Sequence, residues 1–140
     1  MSVLQNLFMG LLLFSTCIAH GNLEITFENC PQNPKGNIMI NLFNSEDNWD
    51  KDIETRNFKI KSERCEEKII IDDLSPGEYA ITVVYDENLN GIHDKNLFGF
   101  PVELFAISNI QRKLFKKPNW DEVRFEFNKN MNLKLFLKYL

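Results

Sequence analysis

Positive charge is not concentrated in any part of this sequence. The 16 Lys and Arg residues are outnumbered by 20 Asp and Glu residues, which gives a net charge of −4, and acids and bases are interleaved along the chain. A protein that binds nucleic acid needs a basic surface that neutralises phosphates and releases counterions. The composition therefore argues against nucleic acid as a partner.

Residue patterns that support catalysis are also scarce. His20 and His93 are the only histidines, and the sequence has no glycine-rich phosphate loop, no nucleophile-elbow motif and no cluster of His and Cys. His93 lies in a polar stretch and is expected to face solvent. Paired acids such as Asp72-Asp73 lie at predicted strand ends, where solvated charge protects a sheet edge. We therefore predict that the protein is not an enzyme.

Apolar runs long enough to cross a membrane are missing near the N-terminus. The stretch LFMGLLLFSTCIA, Leu7–Ala19, has 13 residues without a charge, whereas a spanning helix needs about 20. It is typical of the apolar core of a secretory signal peptide that is cleaved before His20. The usual Lys or Arg is missing in front of it, and an uncleaved anchor and lipidation of Cys17 are alternatives. We predict a signal peptide over residues 1–19 and a secreted or periplasmic domain over residues 20–140, with no transmembrane span in the mature chain.

Export determines how the cysteines are interpreted. Cleavage would remove Cys17 and leave Cys30 and Cys65, which in an oxidising compartment most simply form one disulfide. Such a bridge would stabilise the fold by about 3–4 kcal/mol on the chain-entropy model. Two buried free thiols are the alternative, and a metal site is not tenable at this spacing without nearby histidines.

Apolar and polar residues alternate with a period of two in much of the chain, and no long helical period of 3.6 residues appears. Turn signals such as Pro76-Gly77 and Asn90-Gly91 separate the alternating runs. We predict an all-β, antiparallel two-sheet sandwich of seven or eight strands, Ig-like or transthyretin-like. The strands are expected in LEITFE, GNIMINLF, RNFKIK, EEKIIID, GEYAITVVY, RFEF and LKLFLKYL, with a weaker eighth over residues 102–108.

A polar loop, YDENLNGIHD, follows the fifth of these runs and has the spacing of a calcium loop. Asp86, Asn88 and Asn90 occupy alternate positions, Gly91 permits a sharp turn, and the carbonyl of Ile92 and the carboxylate of Asp94 complete the candidate ligands. Ca²⁺ prefers six to eight such oxygen atoms. The string also resembles the calcium-stabilised repeats of bacterial surface adhesins.

One ligand of an EF-hand-type loop is missing, because Leu97 stands where a bidentate Glu is expected. Glu103 could fold back to replace it, or Asp72 or Asp73 from a neighbouring strand end could help, and the sequence does not decide between them. The alternative is a structured polar turn, in which Asn and Gly adopt left-handed backbone conformations and the acids accept backbone N–H groups. In either case the loop is expected to be architectural, with calcium as the possible cofactor.

The segment around this loop resembles a known bacterial family. Residues 74–108 read LSPGEYAITVVYDENLNGIHDKNLFGFPVELFAIS and are similar to the bacterial domain of unknown function 2141 family. The likeness extends to GNIMINLFNSEDNW and FKKPNWDEVRFEF, and it implies a small exported β-sandwich protein without supplying an activity. The matching loop positions are Asp86, Glu87, Asn88, Asn90, Gly91, Asp94, Asn96, Gly99, Pro101 and Glu103.

Aromatic residues in polar surroundings suggest a second function. Trp49 lies in polar, loop-like surroundings, and Phe100 and Phe105 flank Pro101. If these rings are exposed at one end of the sandwich, they could stack on a glycan or dock a protein partner in the envelope. The alternative is that these rings cover the ends of the core.

Overall fold

The computed structural model describes residues 19–99, 101–111 and 116–139. In this part of the chain the fold is mostly β, with two short helices. The elements are β1 (Gly21–Glu28), β2 (Asn37–Phe43), α1 (Glu46–Asp50), β3 (Arg56–Lys61), β4 (Ile69–Leu74), β5 (Gly77–Asp86), β6 (Phe105–Ile107), α2 (Trp120–Val123), β7 (Phe125–Phe127) and β8 (Met131–Phe136).

The strands form two sheets that share one apolar core. The smaller sheet has the order β4-β1-β8, and the larger has the order β3-β2-β5-β6, with β7 also paired to β5. The predicted alternation explains the core, because Leu23 and Ile25 of the smaller sheet and Ile40 and Val83 of the larger belong to the same buried cluster. The two-sheet β class is therefore confirmed.

The antiparallel prediction is wrong for one strand pair. Strands β1 and β8 run parallel, in a register from Leu23 opposite Met131 to Glu28 opposite Phe136, while the other pairs are antiparallel. The two-residue alternation is the same in both directions, so it carries no information on strand direction. A parallel pair needs a long crossover connection, and here most of the chain separates the two strands.

A second, smaller apolar cluster lies on the other face of the larger sheet. Helices α1 and α2 cover this face, and Trp49 of α1 packs with Phe43 of β2 at a ring-centroid distance of 5.2 Å. The buried Ser108 side chain ties the layers together, since its Oγ accepts the N–H of Ile81 at 3.0 Å and donates to the carbonyl of Val123 at 2.6 Å. We refer to this face as the outer face.

The predicted disulfide is present. Cys30 and Cys65 are bonded with a Cα–Cα distance of 5.9 Å, within the range that unstrained bridges show. The bond connects the segment after β1 with the short helical turn Ser62–Arg64, so it crosslinks the β1–β2 and β3–β4 connections. Within the described ranges, no helix has the length and apolar character needed to cross a membrane.

Candidate functional site

The candidate loop begins where β5 ends. Asp86 is the last residue of this strand, and its side chain is completely buried. Gly36 allows the close approach at this point, because a Cβ there would lie 2.1 Å from the carbonyl oxygen of Asp86, and its φ of +84° favours glycine. The base of the loop is therefore held against the start of β2.

The carboxylate of Asp86 organises the turn that follows it. Its two oxygens accept the backbone N–H groups of Asn90 at 3.1 Å and Gly91 at 2.9 Å. Leu89 and Gly91 have left-handed backbone conformations, with φ of 63° and 73°. Such bonds satisfy backbone donors inside a tight loop, as an Asx-type turn does.

Asp94 brings the other predicted ligands together. Its carboxylate accepts the Nδ2 group of Asn88 at 2.6 Å and that of Asn90 at 2.9 and 3.0 Å. The Oδ1 atoms of the two amides accept the N–H groups of Asn90 and Ile92 at 2.9 and 2.8 Å. The side chains at the four predicted ligand positions therefore converge on one loop, connected by hydrogen bonds.

Glu103, a possible replacement for the missing acid, adds a carboxylate beside the predicted ligands. The residue is 8% exposed, and its Oε2 accepts the N–H of Asp94 at 3.2 Å, whereas Oε1 is buried without a hydrogen-bond partner among the described residues. Burial raises the pKa of Glu103, and the carboxylates of Asp94 and Asp86 raise it further. Hydrogen bonds from the backbone N–H groups of Asp94 and Glu87 lower it, but by less. Burial and the neighbouring carboxylates thus outweigh these two backbone N–H groups and disfavour the ionised form of Glu103.

Leu97 cannot supply a ligand and does not replace the missing Glu. It is fully exposed, and Phe98 beside it is 84% exposed. Among the residues that the structure describes, no three His, Cys, Asp or Glu side chains form a ready metal-binding group. The loop as it stands pairs its carboxylates with amide groups.

The expected solvent-facing position of His93 is wrong. Its ring is half-buried against Phe105, with 6.5 Å between ring centroids, and its Nε2 is buried without a partner in the described part. Burial lowers the pKa of His93 and nearby Lys95 lowers it further, while Asp94 raises it. His93 is half-buried because the fold places it next to Phe105 of β6, a contact that the sequence does not reveal.

The comparison with protein families identifies the chain at family level. Residues 18–134 match the family described as "Uncharacterized protein conserved in bacteria (DUF2141)". The chain belongs to this family. The match includes the whole loop with Glu103, and no curated protein and no solved structure matched the chain. Membership in DUF2141 therefore provides no activity.

Two of the three candidate binding aromatics are buried in this DUF2141 protein. Trp49 is 2% exposed and Phe105 is 3% exposed, because α1 and β6 turn these rings onto the outer face. The indole N–H of Trp49 donates to the carbonyl of Pro118 at 2.9 Å. Phe100, the third candidate, lies outside the described residues. The two visible rings cover the sheet, as the alternative proposed.

A contact that sequence reasoning missed joins His20, Asp73 and Ser75. Nδ1 of His20 lies 2.5 Å from Oδ1 of Asp73, and its Nε2 lies 3.2 Å from Oγ of Ser75. This connectivity is that of a Ser-His-Asp triad, in which a shielded Asp orients the base and preorganised donors stabilise an oxyanion. Asp73 is 79% exposed, so solvent screens the interaction. The contact lacks the shielding that this chemistry requires.

Proposed function

We propose that the protein is an exported, non-enzymatic β-sandwich module, of Ig-like or transthyretin-like type, in which the loop after β5 binds Ca²⁺ as a structural ion. The side chains of Asp86, Asn88, Asn90 and Asp94 and the carbonyl of Ile92 would coordinate it. Glu103 would complete the set in place of the acid missing at Leu97.

The observation that supports this proposal is the buried, unpartnered Oε1 of Glu103. An ionised carboxylate that is removed from water without a compensating partner costs free energy, and two further carboxylates raise its pKa. A divalent cation would remove this cost and would attract all three acids. Rotation of the amides of Asn88 and Asn90 would direct their oxygens toward the ion, since amide oxygen and nitrogen exchange places in a half-turn.

Export is supported by the disulfide and by the predicted signal sequence. Bridges such as Cys30–Cys65 persist in oxidising compartments outside the cytoplasm. The predicted signal core and Cys17 belong to residues 1–18, outside the described part, so cleavage and secretion remain proposals. A calcium-rich exterior would suit extracellular modules, whose Kd values are about 10⁻⁴–10⁻³ M.

The test is thermal unfolding in EDTA and in rising Ca²⁺. At ten times Kd the ion would stabilise the fold by about 1.4 kcal/mol, which raises Tm by about 5–6 °C for a domain of this size. Asp86→Ala should remove the response. Glu103→Gln should reduce it, whereas Glu126→Gln, an exposed acid on β7, should keep it. A wild-type Tm that does not change with Ca²⁺ would reject the calcium site and leave the polar turn.

A second candidate function is an envelope domain that binds a glycan or a protein partner. The exposed ring that could contact such a ligand is that of Phe98, which is 84% exposed, because Trp49 and Phe105 are buried. An exposed aromatic ring can stack on a sugar. Titration with oligosaccharides should shift the amide NMR signals of Leu97 and Phe98, and unchanged signals at millimolar sugar would reject a glycan ligand.

A further inference from the structure

The outer face of the larger sheet carries a groove. Residues of the loop after β5 and the segment Lys116–Pro118 border it, and Trp49 of α1 contributes to its wall. The lining residues from the loop are Gly91, His93, Lys95, Phe98, Gly99 and Pro101. Its volume is about 770 Å³, within the range of about 300–1,000 Å³ that is typical of small-molecule sites.

The bottom of the groove is apolar at one end and basic at the other. The strand registers place Met39 beside Lys59 on β3, Val84 beside Met39, and Phe105 beside Val84. These residues form a cross-strand row of three apolar side chains that ends at a lysine. With strands about 4.8 Å apart, the row is about 14 Å long. The neighbouring row contains Asn41, whose Nδ2 donates to Oγ1 of Thr82 at 3.4 Å.

The charge around the groove is opposite to that of the whole chain. Four lysines and two acids line it, although the chain has a net charge of −4. Lys117 is engaged, because its Nζ donates to the carbonyl of Trp49 and to Asp52. Lys59, Lys95 and Lys116 have no ion-pair partner within the described ranges.

We infer that this groove binds an amphipathic carboxylate, with its apolar body over the floor beside Met39 and Phe98 and its carboxylate at Lys59. Met39 is half-buried and Phe98 is 84% exposed, so these two side chains supply contact area that is removed from water on binding, above Val84 and Phe105, which are already buried. The unpaired lysines at the rim favour a negative head group and disfavour a positive one. Strands β2, β5 and β6 carry the floor and are paired with one another, so this part of the site is preformed.

The test uses the purified protein in EDTA, so that its result is independent of calcium. The fluorescent probe anilinonaphthalene sulfonate, itself an amphipathic anion, reports occupancy, and dodecanoate below its micelle concentration should displace it. Dodecylamine, with the same chain and the opposite charge, should need at least a tenfold higher concentration.

Matched variants locate the site. Lys59→Glu/Lys116→Glu should weaken probe binding at least tenfold. Lys35→Glu/Lys129→Glu changes the net charge equally at lysines outside the groove lining and should change binding less than twofold. Near-UV circular dichroism checks that both variants are folded, and the dodecanoate–dodecylamine comparison on wild-type protein does not depend on them. Equal losses in the two variants, equal displacement by the two amphiphiles, or no probe binding would each overturn the inference.

Discussion

Removal of the Cys30–Cys65 bridge tests how this fold obtains its stability. The perturbation is the double variant Cys30→Ala/Cys65→Ala, because alanine avoids placing a hydroxyl at Cys65, which is buried. The bonded residues are 35 positions apart. On the chain-entropy model, a closed loop of this length stabilises the folded state by about 4 kcal/mol.

The expected fall in Tm follows from the size of the domain. Unfolding entropy is about 2.1 cal/mol/K per residue, so the domain over residues 20–140 has about 0.25 kcal/mol/K. A loss of 4 kcal/mol then lowers Tm by about 16 °C. Because the model acts through the unfolded chain, the urea m-value should rise as that chain becomes more expanded.

The assay is thermal and urea unfolding of wild type, wild type under reducing conditions, and the double variant. The reduced wild type and the variant should have similar Tm values, both well below that of the oxidised protein. A Tm difference under about 3 °C with an unchanged m-value would refute the reasoning. It would mean that the unfolded chain is already as restricted without the bridge as with it.

Three further predictions concern the loop and the triad-like contact. Gly36→Ala should cost more than about 3 kcal/mol by urea unfolding, because its Cβ would lie 2.1 Å from the Asp86 carbonyl oxygen. Gly91→Ala, with φ of +73° but nothing within 4 Å, should cost only about 1 kcal/mol. In EDTA the free energy of unfolding of the wild-type protein should fall as pH rises from the unfolded pKa of Glu103 through its raised folded pKa. Glu103→Gln should remove that fall. A pH profile of stability that is identical in wild type and variant would contradict the prediction. A fluorophosphonate probe should leave Ser75 unlabelled, and labelling that requires His20 would contradict the non-enzymatic proposal.

Local pattern explains much of the secondary structure. The alternation in LEITFE and GNIMINLF places Leu23, Ile25, Ile38 and Ile40 in the core, because successive strand residues point to opposite faces. The weaker eighth prediction over residues 102–108 contains the short strand β6. The disulfide pairing also follows from the sequence, since the predicted signal-peptide cleavage would leave two cysteines.

The same local information left the position of Trp49 undecided. Polar neighbours surround it in the sequence, but α1 turns the indole onto the outer face, where it packs with Phe43. Trp49 is the buried residue of this short helix, and which side chain is buried depends on the sheet beneath. Aromatic exposure was therefore a tertiary property.

The sequence by itself determined the strand periodicity, the cysteine pair and the spacing of the acids and amides in the loop. Only the tertiary structure decided that β8 runs parallel to β1, that Glu103 lies against Asp94, and that a lysine-rimmed groove forms on the outer face. The physical reason is how far apart in the sequence the interacting residues lie. Alternation and turn chemistry act between near neighbours in the chain, whereas strand order, burial of a distant carboxylate and the shape of a cavity depend on which segments pack together.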